Sequence, residues 1–212
     1  MREESKTIVF ALGVCLICSI LLSGLAAGLK SIQTANQKFD VKRNIVKAFG
    51  IDISTLTREQ IEDTYQVHIL EELVSTPSGE MPIYMWKESA EATPTKYAFP
   101  ISGKGLWSMM YGYLSVESDL ETVAGISFYK HGETPGLGAE IETPWFLSQF
   151  TGKKLYANGA PTDFRVLKPG AELDESSVDG ISGSTMTSKG VQALIQRDAA
   201  SYADYFNKIR GG

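Results

Sequence analysis

The stretch Asp179-Gly180-Ile181-Ser182-Gly183-Ser184-Thr185-Met186-Thr187 gathers hydroxyl side chains and glycines just ahead of a helical pattern. From Ser188 onward, Val191, Leu194, Ile195, Tyr202, Tyr205, Phe206 and Ile209 recur at the spacing of one apolar helix face. The first turn of a helix has backbone N–H groups without partners and the positive end of the macrodipole. Ser182, Ser184, Thr185, Thr187 and Ser188 add hydroxyls there, Lys189 adds a charge, and Gly183 lets backbone approach a ligand closely. Two readings fit. One is an ordinary N-cap, in which Ser and Thr satisfy the free N–H groups. The other is an anion site, for phosphate above all.

Two further stretches have the composition of ligand loops. Ser102-Gly103-Lys104-Gly105-Leu106-Trp107 sets a lysine between glycines, but without the spacing of a P-loop or of G-x-G-x-x-G. It reads as a tight turn between strands. His131-Gly132-Glu133-Thr134-Pro135-Gly136-Leu137-Gly138 fixes an irregular loop straight after a strand, where a flat ligand can lie against backbone. Gly180-Ile181-Ser182-Gly183-Ser184 comes close to the nucleophile elbow G-x-S-x-G but lacks its second glycine. His68 and His131 are the only histidines that could serve such a serine as base.

Cys15 and Cys18 form a C-x-x-C inside an uncharged run from residue 7 to residue 29. At i and i+3 of a helix they share a face without favouring a disulfide. The histidines and the absence of other cysteines do not complete a zinc site. They read as small apolar side chains buried in the membrane; a role, if they have one, is in a cluster ligated jointly with a neighbouring protein. No cysteine follows Cys18, so the globular part uses no disulfide.

These residues need elements to position them. The run from 7 to 29 is long enough to cross a hydrocarbon core of about 30 Å. A cleaved signal peptide has a shorter apolar region, roughly 7–15 residues. Residues 1–30 are therefore expected to be a tail and retained anchor in contact with membrane lipid, and residues 31–212 one domain. Arg2 and Lys6 precede the run while Lys30, Lys38, Lys42 and Arg43 follow it, so the count of positive charges does not set the orientation. Residues 1–30 carry a net +1 and the remaining 182 residues −6, and no basic stripe points to nucleic acid. A helix is expected over 31–49, stopped by Gly50, and a second from Thr57, with a capping box to Gln60, through about Val74. Strands follow at 83–86, 96–101, 111–116, 123–129 and 164–167, with a short helix opened by Thr143-Pro144. Strands clustered between helices imply an α+β fold with a largely antiparallel sheet.

Asp179-x-x-Ser182-Gly183-Ser184-Thr185 resembles the flavinylation motif D-x-x-S/T-G-A-T of the FMN-binding domain family, with Ser184 where alanine is usual. Together with Gly103-Lys104-Gly105-Leu106-Trp107-Ser108, Met110-Tyr111-Gly112 and the 131–138 loop, it resembles the NqrC family of sodium-translocating NADH:quinone oxidoreductases over essentially the whole chain. The related RnfG family of Rnf electron-transport complexes shares part of the pattern. The resemblance implies FMN joined through its phosphate to Thr185, with Ser182, Gly183, Ser184 and Thr187 around the phosphate. It also implies Lys104, Gly105, Leu106 and Trp107, and Glu133, Thr134, Pro135, Gly136, Leu137 and Gly138, around the ring and ribityl chain. Further implications are a flavin transferase that uses FAD and magnesium, neighbouring subunits as electron partners, and a domain on the outer side of a bacterial inner membrane with the N-terminus inside. A cofactor-free, membrane-anchored interaction protein is the competing reading; it predicts no flavin absorption.

Overall fold

The computed structural model describes residues 3–89 and 91–211. It divides into two units, Met1–Asp40 and Val41–Gly212. One helix, α1 (Glu3–Ala48), runs through the boundary, so the expected anchor and the expected 31–49 helix are a single element. Residues 31–40 go with the apolar segment because they bury almost nothing, only Phe39 being partly covered. Within the first unit, Cys15 and Cys18 are exposed free thiols. Arg2, counted with the basic flank, lies outside the described residues. α1 is the one described helix long and apolar enough to cross a membrane.

The second unit is built on a five-stranded antiparallel meander. Its strands are β1 (Ile69–Thr76), β2 (Gly79–Trp86), β3 (Lys96–Lys104), β4 (Met109–Glu117) and β5 (Val123–Lys130), side by side in chain order. The period-two alternation of each strand splits the apolar residues between two faces. Phe99, Ile101, Leu114 and Val116 face the C-terminal helix α4 (Thr185–Gly211), packing on Val191, Leu194, Ile195, Tyr202 and Phe206. Tyr84, Trp86, Ala98 and Tyr113 face the last turns of α1 through Ile45, Ala48 and Phe49. Serines of the sheet cap that helix end, whose final carbonyls have no helical partner. Ser115 Oγ donates to Ala48 O at 2.5 Å, and Ser127 Oγ to Asn44 O at 2.8 Å. Gly50, at φ +82°, then turns the chain away.

The capping box of α2 (Arg58–His68) is present, Thr57 and Gln60 exchanging both hydrogen bonds. The helix ends at His68, however, and not near Val74. Residues 69–76 form β1 because they pair along their whole length with β2 across the Pro77-Ser78 turn. His68 closes the helix as a structural residue: its ring stacks on Trp86 at 4.7 Å, and its Nδ1–H donates to Lys87 O at 2.8 Å. Beyond the sheet come a 3-10 turn (Gly138–Glu142), the short helix α3 (Pro144–Ser148), and a β6/β7 ribbon (Tyr156–Ala157, Ala160–Pro161). The strand expected at 164–167 is β8 (Arg165–Leu167), paired in parallel with a strand the sequence does not announce, β9 (Ser177–Asp179).

Candidate functional site

α4 starts at Thr185, three residues earlier than the apolar periodicity begins. The difference decides which hydroxyls face out. Residues two apart on a helix are about 200° apart around its axis, so the side chains of Thr185 and Thr187 point to opposite sides. Thr185 is exposed, whereas Thr187 is buried and donates its hydroxyl to Glu133 Oε2 at 2.5 Å. The Thr187 side chain, expected at a phosphate, is turned inward and ties α4 to the 131–138 loop. Ser184 is buried too, as is Ser188, whose Oγ accepts from Ile181 N at 3.1 Å. Ser182 and Gly183 are exposed beside Thr185, with Gly183 at φ +74°.

Glu133 joins the three stretches. Its carboxylate is buried and accepts from the backbone N–H of Leu106 at 3.2 Å, Trp107 at 3.0 Å and Ser108 at 3.4 Å, besides Thr187. Burial pushes this carboxyl up, but the hydroxyl of Thr187 and the N–H groups of Trp107, Leu106 and Ser108 outweigh it and hold it below the ordinary carboxylate range. With all its lone pairs engaged it positions loops and is not itself free to meet a ligand. The glycines explain how the loops come so close. A Cβ on Gly105 would lie 2.5 Å from Glu133 Oε1, and one on Gly138 would lie 2.6 Å from Thr187 Oγ1. Leu137 Cδ2 sits 3.1 Å from where a Cβ on Gly183 would be.

The residues left outward are apolar or cationic. Trp107 is 70% exposed, and Leu106, Leu137 and Met186 are exposed as well. Lys104 is exposed at the end of β3, and Thr134, Pro135 and Gly136 form the exposed rim of their loop, with Gly136 at φ +72°. On the other side of Thr185 is a cleft of about 90 Å³ lined by Leu167, Lys168, Gly180, Ser188 and Lys189. Lys168 carries no motif signal; it arrives because β8 ends beside β9, where Gly180 N donates to Leu167 O at 2.7 Å. Asp179, first residue of the motif, caps this turn by accepting from Gly170 N at 3.1 Å.

His131 is held away from every hydroxyl of the loop. Its Nδ1 accepts from Glu133 N at 3.2 Å, which puts the proton on Nε2 facing Glu142 Oε1 at 3.0 Å. No serine–histidine hydrogen bond forms among the described residues, so the geometry gives the nucleophile-elbow reading no base.

Gly190 tests the closeness of α4 to the β3–β4 turn. A helix-interior Gly→Ala change on its own gains about 1 kcal/mol. Here the new Cβ would meet Lys104 O at 2.5 Å, a backbone atom that cannot swing aside. Gly190→Ala is expected to lose about 1–3 kcal/mol net, the usual cost of overpacking, seen as a lower thermal midpoint. A raised midpoint would show that the turn yields freely.

Comparison with known proteins places these residues in a family. Residues 105–199 match the FMN-binding domain. The chain is 37% identical to the NqrC protein of the Na(+)-translocating NADH-quinone reductase of Vibrio alginolyticus, over 98% of this chain and 95% of that protein. It is 33% identical to the Yersinia pestis NqrC, over 98% and 93%. The crystal structure of NqrC from Parabacteroides distasonis superposes with a TM-score of 0.72 at 32% identity, covering 82% of this chain and 94% of that one. The Shewanella oneidensis NqrC structure shares the fold, with a TM-score of 0.74 at 24% identity, over 84% of this chain and 100% of that one.

Proposed function

Because the chain belongs to the NqrC family of the Na(+)-translocating NADH-quinone reductases, we propose that it is that complex's covalent FMN carrier. In this reading Thr185 Oγ1 holds the cofactor's phosphate, and the domain passes electrons between redox centres of neighbouring subunits. The observation that supports it best is the contrast at the start of α4. Thr185 is exposed beside Lys168 and Lys189, while Ser184 and Thr187 are turned into the protein.

The chain's own residues then have separable tasks. The free N–H groups of the first turn of α4 and the two lysines neutralise the phosphate. Ser182 and Gly183 leave room for it. Glu133 fixes the 105–108 turn against the start of α4, so that Leu106, Trp107 and Leu137 present apolar faces for a flat ring to rest on. Linkage through phosphate prevents loss of the cofactor and leaves its ring unmodified. When bound, FMN supplies the one-electron chemistry. Maturation requires a flavin transferase: the Thr185 hydroxyl gives up its proton and bonds to the FMN phosphorus of FAD as the pyrophosphate link breaks and AMP leaves. α1 anchors the chain in the inner membrane with the domain on the outer side.

The deciding experiment is the intact mass of the chain coexpressed with an active transferase. FMN in phosphoester linkage adds its mass less one water, and the purified protein absorbs at about 450 nm. A chain weighing no more than its amino acids, from cells in which the transferase loads another substrate, refutes the proposal.

A further inference from the structure

A second cavity, of about 520 Å³, opens between the end of α1, the following loop, β5 and α3, and shares no residue with the cleft at Thr185. Its volume is that of a small-molecule site. The walls are mainly apolar, from Ile51, Ile126, Pro144 and Leu147. Two cations border it, Arg43 and Lys47, one turn apart on α1.

Neither cation has a hydrogen bond or an ion pair within 4 Å among the described residues. Two acids are close, Asp52 on the cavity wall and Glu142, and neither is within ion-pair distance of the two cations. Asp52 accepts from Ser54 N at 2.9 Å, and Glu142 faces His131 Nε2 at 3.0 Å. Lys47 is half-buried, and burial pushes its ammonium below the ordinary lysine range; Glu142 opposes that shift and Arg43 adds to it. A half-dehydrated charge without a partner is costly, and an anion placed beside it recovers that cost. Apolar walls beside such a charge select an anion that brings an apolar body with it.

We propose that this cavity binds an amphiphilic anion, a phosphate or carboxylate head carrying an alkyl body, with Lys47 and Arg43 on the head and Ile51, Ile126 and Leu147 around the body. Such a ligand comes either from the bilayer, as an anionic phospholipid, or from solution, as a free acyl or alkyl anion. Both have the same chemistry at the site.

Binding raises the Lys47 pKa, and each unit of rise cuts the reactive neutral amine about tenfold. The test is therefore the acylation rate of each lysine in the full-length chain, held in nanodiscs of neutral phosphatidylcholine and read by peptide mass spectrometry. Decyl phosphate is expected to slow acylation of Lys47 about tenfold and leave Lys153 and Lys208 unchanged. Inorganic phosphate alone and decanol alone are expected to leave all three lysines, Lys47 included, unprotected. Ser148→Trp, at an exposed position of α3 on the cavity rim, fills the space without touching the core and should abolish the protection. Nanodiscs containing phosphatidylglycerol, with no decyl phosphate, separate the sources: protection there identifies the bilayer, and protection only by decyl phosphate identifies a soluble ligand. The proposal is overturned if no anionic amphiphile protects Lys47, if inorganic phosphate protects it equally, if all lysines slow together, or if Ser148→Trp leaves the protection intact.

Discussion

A Thr185→Ala chain coexpressed with a flavin transferase is expected to carry no covalent flavin. Its in-gel flavin fluorescence after denaturation should fall to background, and its mass should be that of the polypeptide. The loop has other hydroxyls, so the expectation rests on where they point. Ser184 is buried in the turn that closes Ile181 O to Ser184 N at 3.1 Å. Thr187 is committed to Glu133, and Ser188 to Ile181 N. Ser182 is exposed but precedes the helix and lies outside its first turn. Thr185 alone combines exposure, helix-start N–H groups and a place in the cleft that Lys168 and Lys189 line. The fold should be indifferent, because an exposed substitution of this kind shifts stability by less than about 0.5 kcal/mol. Thr185→Ser, which keeps the oxygen and loses only a methyl, should restore loading. A fluorescent, mass-shifted band from Thr185→Ala, mapped to Ser182 or Ser184, would remove Thr185 from its assigned role.

The helix after the hydroxyl loop is legible from periodicity, as are the turn between β3 and β4 and the capping box at Thr57. The start of α4 is not, because residues 185–187 are Thr-Met-Thr, with one apolar side chain that is 58% exposed. Counting Thr187 into the loop then makes it a phosphate contact, and only the earlier helix start turns it inward. β1 fails for the opposite reason. Leu70, Leu73 and Val74 fall at i, i+3 and i+4, so the local pattern imitates a helix. The eight-residue ladder with β2 overrides it, a long-range preference that no window of sequence contains. β8 and β9, at three residues each, are too short to carry a period, and Lys168 reaches the cleft only through their pairing. Glu133 shows a further limit. Its place in a glycine-rich loop marks it as important, yet its task as an acceptor for three backbone N–H groups and one hydroxyl depends on partners 25 to 54 residues away.

That task makes Glu133 the side chain whose loss should cost the fold most among those near Thr185. Glu133→Ala deletes the acceptor for four donors, and hydrogen bonds to a charged group contribute about 1.5–3 kcal/mol each before water compensates the exposed ones. With Leu106 and Trp107 open to solvent, a net loss of about 2–4 kcal/mol is expected, a thermal shift on the order of 5–12 °C for a domain of this size. Glu133→Gln keeps the shape, and the Thr187 hydroxyl can reverse to accept from the new amide. One backbone N–H then loses its acceptor, and the expected cost is about 1–2 kcal/mol. The pH dependence separates a charge effect from simple loss of packing. The Glu133 carboxyl lies below its ordinary range in the folded protein, so its contribution is fully present above the unfolded value of about 4.3 and disappears as pH falls through the folded one. The gap in urea midpoint between the natural chain and Glu133→Gln should be constant from pH 7 to about 5 and close progressively at lower pH. A gap that stays the same down to the acid limit of folding would mean that the carboxylate's charge does not hold the three loops together.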